Sequence, residues 1–142
     1  MEQKDYLLRY IEQLGKVLAA LFDFKRREEY SEGLDLINET YVEMLKLDSC
    51  DLNSIPEKEI IPRLTDKHLL NHEQLEVAAE LLKEEGEIYK LKKEYPRAKH
   101  RLKRALLLYD YLEKNDKTFS QERIEKVEKI KRLIDEIKNT KE

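Results

Sequence analysis

Residues 82–112 read LKEEGEIYKLKKEYPRAKHRLKRALLLYDYL, and the spacing of their apolar side chains decides the fold class. Leu75, Ala79, Leu82, Gly86 and Tyr89 recur every three or four residues up to a polar break at Lys92-Lys93-Glu94. Ala98, Leu102, Ala105, Tyr109 and Leu112 repeat the pattern after it. Two amphipathic helices joined by a tight turn satisfy both halves. Small residues (Gly86, Ala98, Ala105) stand where two helix axes would approach most closely, with tyrosines beside them.

Working outward, the same period extends along the rest of the chain. A first helix is expected from about Asp5, as N-cap, to Phe24, with Leu7, Ile11, Leu14, Val17, Leu18 and Leu21 as its main stripe. Tyr6, Tyr10, Phe22 and Phe24 widen that stripe beyond what one neighbour covers, so two helices or a second copy of the chain should meet it. Lys25-Arg26-Arg27 follows, cations suited to a helix C-terminus. A second helix spans about Ser31–Leu47 with Leu34, Ile37, Tyr41 and Met44 inward. From 48 to 71 the period breaks. Ser54-Ile55-Pro56-Glu57 has the form of a capping box, followed by a short helix that Pro62 should kink or end. Asn71-His72-Glu73-Gln74 offers a second capping box. Ser120 should cap a last helix to about residue 138 carrying Ile124, Val127, Ile130, Ile134 and Ile137, with Phe119 and Ile124 spaced as a hydrophobic staple.

Composition agrees with helix nearly throughout. Of the 142 residues 42% are charged and 40% hydrophobic, with only three Gly and three Pro, a balance that favours helix and disfavours disorder. The longest apolar run, from Val17 to Phe22, is too short to cross a membrane, and no signal peptide is evident. Cys50 is the sole cysteine, which excludes an internal disulfide and suits a reducing, cytoplasmic setting. The net charge of −3 conceals an asymmetry: eight cations against Glu94 between Lys90 and Arg104 give a local +7 and leave −10 elsewhere.

The sequence also repeats itself. A shift of 65 residues lays Leu21 on Gly86, Phe24 on Tyr89, Tyr30 on Tyr95, Gly33 on Ala98, Ile37 on Leu102 and Tyr41 on Leu106. Residues 79–112 resemble a tetratricopeptide repeat, whose fixed positions are matched in order by Gly86, Tyr89, Tyr95, Ala98, Leu102 and Ala105. Leu82, Glu85 and Asp110 depart from that motif, as do Leu21 and Thr40 in the first pair. The opening Asp5–Glu12 stretch is also similar to a group of small bacterial helical proteins of unknown function. The resemblance implies an all-α fold of stacked antiparallel hairpins, an α-solenoid in one domain over 1–142. Hairpin one would cover about 5–47, an insert with a short helix 48–71, hairpin two about 72–112, and a capping helix about 120–138. It further implies a groove lined by first-helix residues: Phe22 and Lys25 with Leu18 in one hairpin, Lys83 and Glu87 with Lys90 in the other. The polar clamp that the family uses on C-terminal carboxylates is missing from these positions.

Three surfaces are candidates for function. The groove would hold a peptide or helix of a protein partner. The basic segment, through Lys90, Lys93, Arg97, Arg101 and Arg104, would meet an acidic segment or a nucleic acid, although the overall acidic charge disfavours the latter. Tyr6 and Tyr10 on the first helix would suit an interface, including that of a homodimer. Catalysis has no support. His68 and His72 straddle a helix boundary without a converging third ligand, so no metal is expected. Cys50 lies among acids that would raise its pKa, and the pairs Glu28-Glu29 and Glu84-Glu85 are expected on solvent faces. No phosphate loop or nucleophile elbow occurs, and no cofactor is implied.

Overall fold

The computed structural model describes residues 2–116 and 120–140, with side chains from residue 7 onward. The described residues form an all-α protein. Helix α1 spans Glu2–Arg26, α2 Tyr30–Leu45 and α3 Ser49–Ser54. A 3₁₀ turn (Glu57–Glu59), the single turn α4 (Ile60–Pro62) and a π turn (Arg63–Lys67) lead to α5 (His72–Leu91). Helices α6 (Tyr95–Asn115) and α7 (Gln121–Asn139) complete the chain.

Local chemistry accounts for most of these boundaries. Asn71 Oδ1 accepts from Gln74 N at 2.8 Å while Gln74 Oε1 accepts from Asn71 N at 3.0 Å, a complete capping box that starts α5. Ser120 Oγ accepts from Arg123 N at 3.0 Å and starts α7. Two expected caps are corrected. Helix α1 already runs from Glu2, which leaves Asp5 inside it. Ser54 closes α3 rather than opening the next element: its hydroxyl donates to Cys50 O at 2.7 Å, and Asp48 is the residue that caps α3, accepting from Asp51 N. Helix α2 ends at Leu45 because Lys46 turns left-handed, at φ 59°. The expected staple partner Phe119 lies outside the described residues.

The 65-residue repeat is reproduced in the backbone of the two tight turns. Glu28 and Lys93, 65 positions apart, both take positive φ, 60° and 65°. Glu29 N donates to Phe24 O and Glu94 N to Tyr89 O, at 2.8 and 2.9 Å. Gly33 N donates to Glu29 O and Ala98 N to Glu94 O, at 3.1 and 3.0 Å. Both turns therefore reverse the chain with a left-handed residue at the same position and with matching hydrogen bonds.

Helix α5 is the centre of the packing. It lies against α6 most extensively, then α2, and also touches α1 and α7. Every residue from Val77 to Ile88 is buried. Gly86 permits the close approach of α6: a Cβ there would stand 2.6 Å from Leu102 Cγ and Cδ2 and 3.3 Å from Ala98 O. Ala98, Leu102, Ala105, Tyr109 and Leu112 face α5 at 0% exposure, as their spacing predicts. The segment between α2 and α5 contributes Leu52, Ile55, Ile60, Leu64 and Leu70 to the same core, with α4 against α6.

The two buried glycines differ in what opposes a methyl group. At Gly33 the obstacle is the terminal Cδ1 of Ile88, 2.9 Å away, which a rotamer change can move. At Gly86 it is the branch point of a buried leucine with backbone behind it. Gly86→Ala is expected to cost about 1–3 kcal/mol by overpacking. Gly33→Ala should stay within about 1 kcal/mol, because the gain in helix propensity offsets the smaller clash. Urea unfolding of the two variants checks the order.

Candidate functional site

The buried stretch of α5 carries Glu80, Lys83, Glu84, Glu85 and Glu87, all below 10% exposed. This overturns the expectation that Glu84-Glu85 faces solvent. Ionised carboxylates cannot be taken out of water without partners, so the neighbouring helices must supply cations. They do. Lys25 Nζ on α1 reaches Glu84 at 2.7 Å and Glu87 at 2.8 Å. Lys83 on α5 itself bridges Glu87 at 2.9 Å, Glu84 at 3.2 Å and Glu80 at 3.5 Å. From α7, Lys129 approaches Glu87 at 3.4 Å and Lys126 pairs with Glu80. Tyr109 on α6 donates to Glu80 at 3.4 Å. One ionic network thus joins α1, α5, α6 and α7.

Burial by itself would raise the Glu87 carboxyl, but the Lys83 and Lys25 ammonium groups prevail and hold it at about 2. Burial likewise pulls Lys83 and Lys25 downward, and the surrounding carboxylates overcome it and raise both. Glu85 points the other way, toward α2 and α3. Its carboxylate accepts from Tyr41 Oη at 2.8 Å and Ser49 Oγ at 2.6 Å, with Arg101 Nε at 3.3 Å. Burial raises its pKa against the pull of Arg101 and the hydroxyls.

Among the expected groove residues, Lys25, Lys83 and Glu87 are brought together, yet they are bound to one another rather than presented to a ligand. Phe22 stands apart on α1 at 64% exposure. The five basic candidates do not form one patch. Arg104 is buried and donates to Leu52 O at 3.5 Å. Arg101 faces Glu85 and stacks over Tyr89, 5.4 Å from its ring centre. Lys90 pairs with Glu136 on α7 at 3.0 Å, and Arg97 with Glu94 at 3.2 Å. Lys93 is exposed at the turn. Tyr10 is half-buried and donates to Met44 O at 3.4 Å, tying α1 to the end of α2; the side chain of Tyr6 lies outside the described residues. His68 closes the π turn and His72 opens α5, and no metal-binding group of three or more His, Cys, Asp or Glu converges among the described residues. No helix among them is long and apolar enough to cross a membrane.

The feature the sequence reading missed is a groove of about 550 Å³ between α6 and α7. Leu106, Leu107, Tyr109, Ile124 and Val127 line it, together with the charged Asp110, Glu113, Glu128 and Lys131. The signal was the run Leu106-Leu107-Leu108. Three consecutive leucines spread over about 200° of a helix, so α6 must be apolar on more than its α5 side.

Two pH responses follow. Glu87 is depressed, so its contribution is present above the ordinary carboxyl value of 4.5 and is lost as pH falls toward about 2. Acid unfolding should accordingly steepen in that window. Glu87→Gln should flatten it and cost about 1.5–3 kcal/mol at neutral pH, measured by denaturant unfolding at a series of pH values. His100 is held at about 4 by burial and by Arg104 and Arg101, whose Nη1 donates to its Nδ1. Its imidazole should stay neutral throughout the physiological range in an NMR titration, and Arg104→Met should return it toward 6.5. Comparisons with protein families, with curated proteins and with solved structures yield no match to this chain, so its functional reading stands on this geometry.

Proposed function

We propose that this chain is a non-catalytic interaction module that takes an amphipathic helix of a partner protein into the groove between α6 and α7. The observation that carries the reading is the groove itself, whose lining is mainly apolar. Helices α1 and α2 pair, as do α5 and α6, and α2 packs on α5. The 65-residue correspondence of the two turns supports reading these pairs as successive tetratricopeptide-like units. On that reading α7 covers the open end of the second unit and begins where a third would. Its side bearing Ile124 and Val127 then has the place of a second helix vacant beside it among the described residues. A helix-in-groove ligand fits this shape, with apolar anchors at i, i+3, i+4 and i+7. Of the three carboxylates lining the groove, Asp110 pairs with Lys114 at 3.2 Å and Glu113 lies 3.8 Å from Arg123, which leaves Glu128 to favour a basic residue flanking those anchors. The single cysteine, Cys50, is exposed at the start of α3, which fits a reducing cytoplasmic setting.

A designed probe tests this directly. A fluorescent helical peptide with leucines at that spacing and lysines on both flanks should bind in the micromolar range by anisotropy. Val127→Glu should weaken it at least tenfold while leaving the helical circular dichroism unchanged. A peptide of the same composition with scrambled spacing should not bind. Equal binding by the scrambled peptide, or undiminished binding by the variant, would overturn the proposal.

A further inference from the structure

The first helix carries a second apolar surface, separate from the α6–α7 groove. Leu8, Ile11 and Phe22 are 52%, 58% and 64% exposed. Gly15 and Ala19 are exposed between them, and a Cβ on Gly15 would meet no atom within 4 Å. Positions 8, 11, 15, 19 and 22 share one face of a helix, within a sector of about 80° at 100° per residue. Their spacing is three, four, four and three residues, so it reads the same from either end with Gly15 at the middle.

We propose that this face pairs with the same face of a second copy, α1 against α1 in antiparallel orientation, with the two Gly15 residues at the crossing. A two-fold interface must be self-complementary, and a stripe that is symmetric about its own centre meets that demand as a foreign ligand would not require. In the antiparallel register Leu8 lies opposite Phe22 of the other copy and Ile11 opposite its Ala19. Large side chains then meet each other at the ends, and small ones let the backbones approach at the centre, as at close helix crossings. The charges agree. Glu12 and Lys16 lie on one flank of the stripe, and reversal of the second helix sets each Glu12 within about two residues of level with the other copy's Lys16. Both are exposed and neither has an ion-pair partner within 4.0 Å among the described residues. The contact runs about 21 Å along the helix at 1.5 Å per residue, which places the pair among weak, reversible dimers.

Sedimentation equilibrium of the whole chain tests the proposal. The expected species is a dimer of the 17.1 kDa chain dissociating in the micromolar range. Ile11→Glu and Gly15→Leu should each give a monomer with unchanged helical circular dichroism. These positions are exposed, so loss of the dimer will not reflect loss of the fold. Glu12→Lys and Lys16→Glu should each weaken dimerisation roughly three- to tenfold, the range of exposed ion pairs. The double variant should restore it, which a nonspecific apolar contact would not do. A wild-type monomer at several hundred micromolar, a dimer that survives Ile11→Glu, or a charge exchange without rescue would each overturn the pairing. The α6–α7 groove is untouched by these changes, so either proposal can fail alone.

Discussion

The structure depends on finding partners for four glutamates buried at its centre. A helix surrounded on every side is ordinarily apolar on every side. Here α5 is surrounded, yet almost half of its buried stretch is charged. Each carboxylate removed from water incurs several kcal/mol unless cations and hydrogen bonds compensate in good geometry. That requirement dictates where the other helices stand. Helix α1 must end so that Lys25 reaches Glu84 and Glu87, α7 must present Lys126 and Lys129, and α6 must bring Tyr109 and Arg101 to opposite faces. Apolar packing brings the helices together, and the ionic network specifies their register. Gly86 and the alanines of α6 make room for it by letting the α5 backbone approach closely.

Much of this was legible in the sequence, for identifiable reasons. Helix positions, the caps at Asn71 and Ser120, and the facing stripe from Ala98 to Leu112 all rest on interactions within a few residues. The repeat was legible because two turns with the same backbone solution select similar residues around them. Charge was not legible in the same way. Glu84-Glu85 reads as a solvent face unless its partners are known, and Lys25 lies 59 residues from Glu84. The basic segment misled for the same reason: Arg101 and Arg104 turn inward toward Glu85 on α5 and Leu52 on α3. Pairing between distant helices leaves no periodicity in either of them.

The same reasoning separates the surfaces available for binding from those already occupied. The charged residues of the expected groove, Lys25, Lys83 and Glu87, serve as internal cement, so partners must be sought where apolar side chains remain open. The α6–α7 groove and the outer face of α1 both have that character. One lies on the first helix and the other beside the last, and each of these long helices packs mainly on two others.

Glu87 holds a lysine from the first helix and a lysine from the last helix at once. In elongated repeat proteins each unit touches only its neighbours, so such chains can unravel progressively from either extremity. Here both extremities grip one carboxylate in the middle, and detaching either leaves that carboxylate short of a cation the other was positioned to share. The ends are thereby made interdependent, and the molecule should melt as a single cooperative block, with the amides of α5 exchanging only when everything opens.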